Sequence, residues 1–224
     1  MHICRKIADG MIVATPKLKE QYAHLNDNIH VCRNAIDPAD WPSLPPHQPD
    51  GVLRIGWAGS ASHKYDLADI RLALDWASRQ SQVEIVLAGF EDILGSLLSL
   101  PNVKWIPWTT RLSTYRAGLS EIDVMLAPNR RGAWADAKSD IKALEAAMAG
   151  ACSVVADSPS FSEIVNGEFP GYVAKTPKDF LKVVKHLVAN RDEVAEAAQL
   201  AKDYVMAKRN IQTSVQEWRD AIES

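Results

Sequence analysis

Residues 139–157 read SDIKALEAAMAGACSVVAD, and this stretch decides the fold. Its first eleven residues are rich in strong helix formers and run into Gly150, so they are expected to form a short helix. A β-branched run, Ser153-Val154-Val155-Ala156, follows at once and reads as a strand. Lys142 and Glu145 lie three apart and share one helical face near the start. Ser139 or Asp140 can cap the orphan amides there. A helix start carries partial positive charge and free N–H groups, which suits a phosphate. A carboxylate one turn inside could grip ribose hydroxyls. An ordinary amphipathic helix with a solvated Lys–Glu pair is the competing account.

Outward from this stretch, residues 51–175 alternate between strand and helix. Strands are expected at 52–58, 83–88, 102–108, 123–127 and 172–174, with helices at 66–79 and 112–119. Leu67, Ile70, Leu74 and Ala77 recur at helical spacing. Such alternation implies parallel βαβ units. Strands that are apolar throughout fit a sheet covered on both faces. Upstream, 11–14 and 29–32 read as short strands, and Thr15-Pro16 starts a helix reaching about His24. Residues 34–49, NAIDPADWPSLPPHQP, are too proline-rich for a helix or a central strand. They are expected to cross the surface as a linker pinned by Trp41. Downstream, 176–224 read as helical. Phe180, Val183, Val184, Leu187 and Val188 form one stripe, and Ile211, Val215, Trp218 and Ile222 form one face of the last helix.

The bulk properties narrow the function. At 224 residues and 47% hydrophobic, the chain can bury a sizeable core. A net charge of -3 offers no basic excess for nucleic acid or an anionic membrane. Cys4, Cys32 and Cys152 lack CxxC spacing and read as buried free thiols in a reducing compartment. The histidines show no metal-ligand spacing. No apolar run is long enough to span a bilayer, and residues 1–10 lack a signal peptide's apolar stretch. A cytoplasmic protein is the expectation.

In an open parallel sheet, ligands bind outside the carboxyl ends of the strands. Two loops there carry candidate chemistry besides the helix start. Residues 56–64, GWAGSASHK, place Gly59 and Ser60 where a backbone can approach a ligand closely. The loop is neither a Walker loop nor GxGxxG, and a Gly-Ser turn before a helix capped by Asp66 is the plain alternative. His63 is expected to contact phosphate or sugar rather than to carry a proton. The long loop 128–138 holds Arg130 and Arg131, whose guanidinium forks match a diphosphate; a solvated basic turn is an equal account. Asp157 and Glu163 flank a strand end and could face the same cleft. Met125, Met148 and the seven tryptophans read as packing.

The series of motifs resembles the C-terminal half of GT-B glycosyltransferases, in particular the family-4-like group. The matching pieces are residues 8–18, the NAID of 34–37, IGWAGSASHKYDL at 55–67, VEIVLAG at 83–89, IDVMLAP at 122–128 and the opening stretch. The resemblance implies an α/β fold: a single Rossmann-like, doubly wound parallel sheet with C-terminal helices, one half of a GT-B fold. It divides the chain into 1–50, the remnant of an N-terminal domain and its linker; 51–175, which binds the nucleotide-sugar; and 176–224, helices packing on it. The implied activity is retaining, metal-independent transfer of sugar from a nucleoside-diphosphate donor, such as a UDP- or GDP-sugar, with no cofactor. Glu145 matches the glutamate that holds the ribose. Gly59 and Ser60 lie by the diphosphate, with Lys64, Arg130, Arg131 and Lys142 as the neutralising cations and Ser139 and Asp140 at the helix start. His63 and Lys64 are the expected catalytic residues.

Two departures qualify this. Many relatives carry a second glutamate eight residues before Glu145, where this chain has Ala137; Asp136, Lys138 and Asp140 are the candidates to take its place. The chain is also too short for two Rossmann-like domains, so the acceptor-binding half is expected to come from another chain or from self-association. A non-catalytic nucleotide- or glycan-binding module is the alternative function.

Overall fold

The structure, a computed structural model, describes residues 8–41 and 51–223. The Cys4 expectation and the second half of the proline-rich linker, residues 42–49, lie outside them. Strand β1 (Met11–Val13) pairs in parallel with β2 (Ile29–Val31), joined by helix α1 (Pro16–Tyr22). The Thr15 hydroxyl accepts the Leu18 amide and caps α1, with Pro16 in its first turn. A short 3-10 turn, Pro38–Asp40, leads to Trp41. Trp41 is buried and Arg116 lies over its ring, so the indole does pin this segment to the body.

The main sheet begins with β3 (Leu53–Ala58), α2 (Leu67–Ala77) and β4 (Val83–Gly89). A short helix α3 (Glu91–Leu94) and the turn Gly95–Ser99 lead to β5 (Val103–Pro107), then α4 (Leu112–Leu119) and β6 (Val124–Ala127). After these come α5 (Ala133–Asp136), α6 (Ile141–Ala149), β7 (Cys152–Ala156), α7 (Ser162–Val165) and β8 (Tyr172–Ala174). Three helices close the chain: α8 (Pro177–Ala189), α9 (Arg191–Lys208) and α10 (Ile211–Glu223).

The six strands lie in the order β5-β4-β3-β6-β7-β8, and every pair is parallel. The chain leaves β3 toward one edge through β4 and β5. It then returns to the other side of β3 at β6 and builds toward the opposite edge. The doubly wound sheet expected from the alternation is therefore present, with its switch point between β3 and β6. One buried cluster, containing Ile55, Ile70, Leu74 and Val184, packs α2 and α8 on one face. The other, containing Val86, Leu144, Ala147 and Val205, packs α6 and α9 on the opposite face. Small residues at Ala143, Ala146 and Ala147 let α6 lie close to the sheet, and all three are fully buried. Gly150 ends α6 in the left-handed region, with φ 85°.

Three expectations need correction. Helix α6 starts at Ile141, and neither Ser139 nor Asp140 gives it a side-chain cap; other partners hold both residues, as described below. The 128–138 loop contains a helical turn, α5, because its Ala-Trp-Ala-Asp run can close one turn. The Ile211, Val215, Trp218 and Ile222 face of α10 is exposed, although its spacing is helical as expected. Cys32 and Cys152 are buried free thiols. Among the described residues no helix is long and apolar enough to cross a membrane.

Candidate functional site

A cleft of about 270 Å³ opens at the carboxyl edge of the sheet. Its floor comes from Gly59 after β3 and from Ala88 and Gly89 at the end of β4. Its walls come from Ile106 to Thr109 after β5, Tyr115 of α4, and Ile141, Lys142 and Glu145 of α6; Ser60 and His63 close the remaining side. The two glycines are there because nothing larger fits. A Cβ on Gly59 would lie 2.5 Å from the Trp57 ring, and one on Gly89 would lie 2.8 Å from the Gly59 carbonyl oxygen.

Lys142 and Glu145 both reach the cleft because they share one face of α6, the face turned from the sheet core. The Lys142 Nζ atom is buried and has no hydrogen-bond partner among the described residues. It lies 5.1 Å from the centre of the Trp57 ring, a cation–π contact that replaces part of its lost hydration. Burial is the main reason its pKa falls to about 8; nearby Asp66 and Glu145 resist that fall, and Lys138 adds to it. Glu145 is shifted upward, first by burial, against the pull of the Tyr115 hydroxyl and the charges of Arg116 and Lys142. Tyr115 donates its hydroxyl hydrogen to Glu145 Oε2 at 2.8 Å. Burial and the adjacent carboxylate raise the tyrosine's own pKa, so it stays a donor. This bond holds the carboxylate through Oε2 at the cleft wall.

His63 sits beside them. Its Nδ1 is 2.8 Å from Asp66 Oδ2, and the Lys138 ammonium is 3.5 Å from the same nitrogen. The Asp66 bond favours a charged ring, but burial and the lysines Lys142 and Lys138 outweigh it, so the histidine pKa is lowered. Neutral His63 thus carries its proton on Nδ1, toward Asp66. Asp66 occupies the cap position of α2 without capping it; its second oxygen accepts the Arg130 amide at 3.3 Å.

Of the ten residues singled out in the sequence, the fold brings five to the cleft: Gly59, Ser60, His63, Lys142 and Glu145. Lys64 is exposed at the end of a 3-10 turn, outside the cleft lining. Arg130 pairs with Asp69 at 3.6 Å and Arg131 with Asp136 at 3.0 Å, both away from the cleft wall. Ser139 and Asp140 face the opposite side of the helix start: Asn34 donates to the Ser139 hydroxyl, and Arg209 binds Asp140. Glu163 does not share the cleft either; it is buried between Arg33 and Arg209. Sequence reasoning missed Tyr115, Trp108 and Arg209. Tyr115 stands thirty residues before Glu145, and no local pattern ties it to that residue. Trp108 stacks on Phe90 with ring centroids 4.7 Å apart, a pairing between the ends of two strands.

The cleft lining mixes charged, polar and apolar groups. Lys142 supplies the cation, His63, Ser60 and Glu145 supply polar groups, and Ile106, Pro107, Trp108 and Tyr115 supply apolar and aromatic surface. Such a lining suits a ligand that combines an anionic group, hydroxyls and a flat apolar ring.

No protein-family model matches the chain, and no curated protein matches it in sequence. Solved structures of GT-B glycosyltransferases match its fold. HepE of Anabaena, in complex with UDP-glucose, superposes with a TM-score of 0.77 at 13% identity, over 99% of this chain and 65% of that one. A variant of S. aureus TarM, in complex with fondaparinux, α-GlcNAc-glycerol and UDP, gives 0.74 at 15% identity, over 100% of this chain and 45% of that one. Sucrose-phosphate synthase of Thermosynechococcus elongatus gives 0.70 at 12% identity, over 99% and 60%. The fold is thus one half of GT-B, and the chain spans less than two thirds of each of these proteins.

Proposed function

We propose that this half of a GT-B fold binds a nucleoside-diphosphate sugar in its cleft and is the donor-binding part of a retaining, metal-independent glycosyltransferase. The observation that carries the reading is the Lys142 ammonium, buried in the cleft wall without a hydrogen-bond partner among the described residues. An unpaired buried cation costs stability. An anionic ligand at this point removes that cost. The diphosphate then lies between Ser60, His63 and Lys142, the ribose hydroxyls reach the Glu145 carboxylate, and the base lies along Ile106, Pro107 and Trp108. UDP-glucose and UDP, which the structures of HepE and TarM contain, have this sequence of groups. In transfer, Lys142 and the amides of the helix start stabilise the charge that grows on the departing diphosphate. The acceptor comes from a further domain, a second copy or another chain across the cleft mouth.

Calorimetry with UDP, GDP and their sugars tests the reading, and the absence of heat at millimolar ligand would sink it. Glu145→Ala should weaken nucleotide binding by about 1.5–3 kcal/mol, the range of a lost charged hydrogen bond.

The second reading, a nucleotide- or glycan-binding module without transfer activity, is favoured by one observation. Ala137 is buried and stands where relatives of the family carry a second glutamate. The neighbouring carboxylates do not replace it, because Asp136 is paired with Arg131 and Asp140 with Arg209. Release or transfer of sugar from a nucleotide donor by the purified protein would eliminate this reading.

A further inference from the structure

The start of α6 carries two residues able to cap it, and both are drawn away. The Ser139 hydroxyl accepts a hydrogen bond from Asn34 Nδ2 at 2.7 Å. Asp140 occupies the N-cap position, yet its carboxylate turns outward onto the Arg209 guanidinium, with Nη1 donating to Oδ2 at 2.7 Å and Nη2 to Oδ1 at 3.0 Å. Arg209 is buried and donates further to Glu163 and to the Asn34 carbonyl at 2.9 Å. An aspartate at an N-cap ordinarily accepts an amide of the first turn. Here the Ile141 and Lys142 amides have no acceptor among the described residues. Both residues line the cleft, and the buried, unpartnered Lys142 Nζ stands beside them.

We infer that Arg209 is a positioning residue for anion binding: by taking the Asp140 carboxylate in a bidentate grip, it keeps the start of α6 uncapped and open to a phosphate of the ligand. The inference rests on the donor-binding reading above. Asp140 and a phosphate compete for the same N–H groups. A carboxylate in the cap would occupy the amides and set a negative charge against the arriving anion. Arg209 itself lines no part of the cleft, so it acts only through Asp140. The grip also accounts for an aspartate at this position in a site meant for anions, where it would otherwise be repulsive.

The test compares binding of UDP and GDP with binding of uridine and guanosine, by calorimetry, in the wild type, Arg209→Met and Arg209→Met/Asp140→Ala. Arg209→Met is expected to weaken the diphosphate about tenfold, as a released aspartate caps the helix, and to leave the nucleoside unchanged. The double variant is expected to recover diphosphate affinity to within about threefold of wild type, because the competitor is gone. Equal losses for diphosphate and nucleoside, or no recovery in the double variant, would overturn the inference. If Arg209→Met does not fold, amide resonances of the unaltered protein decide: Ile141 and Lys142 should shift with diphosphate and not with nucleoside. A wild type that binds diphosphate with those resonances unmoved overturns the role of Arg209 alone. A wild type that binds no diphosphate overturns the donor-binding reading with it.

Discussion

Two sets of charges flank the start of α6, and they are treated in opposite ways. On the outer side, Asp140, Arg209, Glu163 and Arg33 form a closed chain of ion pairs that also holds the Asn34 carbonyl. On the cleft side, among the described residues, Lys142 has no hydrogen-bond partner and Glu145 has the Tyr115 hydroxyl. The outer set ties the segment after β2 to α6, α7 and the end of α9. The inner set stays open. Similar side chains a few residues apart thus do different work, and what separates them is whether the fold already satisfies them. Arg130 and Arg131 belong with the outer set in this respect: each has an aspartate partner, whatever their suitability for phosphate.

The contrast can be broken at several points. The largest effect is expected on the closed side. Glu163→Ala takes one of two carboxylate partners from the buried Arg209 and the partner of the partly exposed Arg33, and should cost about 3 kcal/mol of unfolding free energy in urea. A loss well under that would show the outer chain to be incidental. On the open side the signs separate. Lys142→Met should weaken diphosphate binding by about 1.5–3 kcal/mol, while its thermal unfolding midpoint holds or rises, since an unpaired buried charge is removed. A variant that lost stability and affinity together would make Lys142 an ordinary structural residue.

The same lysine predicts two opposed pH dependences. It titrates at about 8 in the empty folded protein, against its ordinary 10.5. Between these values the unfolded chain holds a proton that the folded chain has released, so this group makes the empty protein more stable as pH rises from about 8 to 10.5. Below both values it adds no slope. Diphosphate affinity runs the other way and should fall as pH rises past about 8, because the cation must be regained to bind. Urea unfolding of the empty protein and titration calorimetry with diphosphate, both across this range, should show the two slopes vanish in Lys142→Met. Tyr115→Phe should have a smaller effect, about 1 kcal/mol on nucleotide affinity, by freeing the Glu145 carboxylate to turn. Smallest of all, Arg131→Ala should change stability by no more than about 0.5 kcal/mol and leave diphosphate affinity unaltered; a clear loss of affinity would put that arginine back at the site.

Much of the fold was legible because it is written in local patterns. The apolar run at 83–88 and the helical spacing of Leu67, Ile70, Leu74 and Ala77 appear in the structure as β4 and α2, with all four helix positions buried. Thr15-Pro16 and Thr176-Pro177 start helices with the threonine as cap in both cases. The caps proposed for α6 were not used, since a cap depends on what else reaches the side chain, and Arg209 lies 69 residues away. The exposed face of α10 shows a related limit: spacing tells which residues share a side, but burial needs a neighbour.

The candidate site divides in the same way. Sequence alone determined the alternation of strands and helices, the capacity for a doubly wound sheet, and the pairing of Lys142 with Glu145 on one helical face. These follow from steric preferences and from a period of 3.6 residues, which act over a few positions. The tertiary structure alone decided that Lys142 lacks a hydrogen-bond partner among the described residues while Arg130 and Arg131 have aspartate partners, and that Tyr115 holds Glu145. It alone turned Asp140 toward Arg209 and away from its own helix. Those outcomes depend on which charges meet across long separations in the chain and which are left without water, and local pattern carries no record of either.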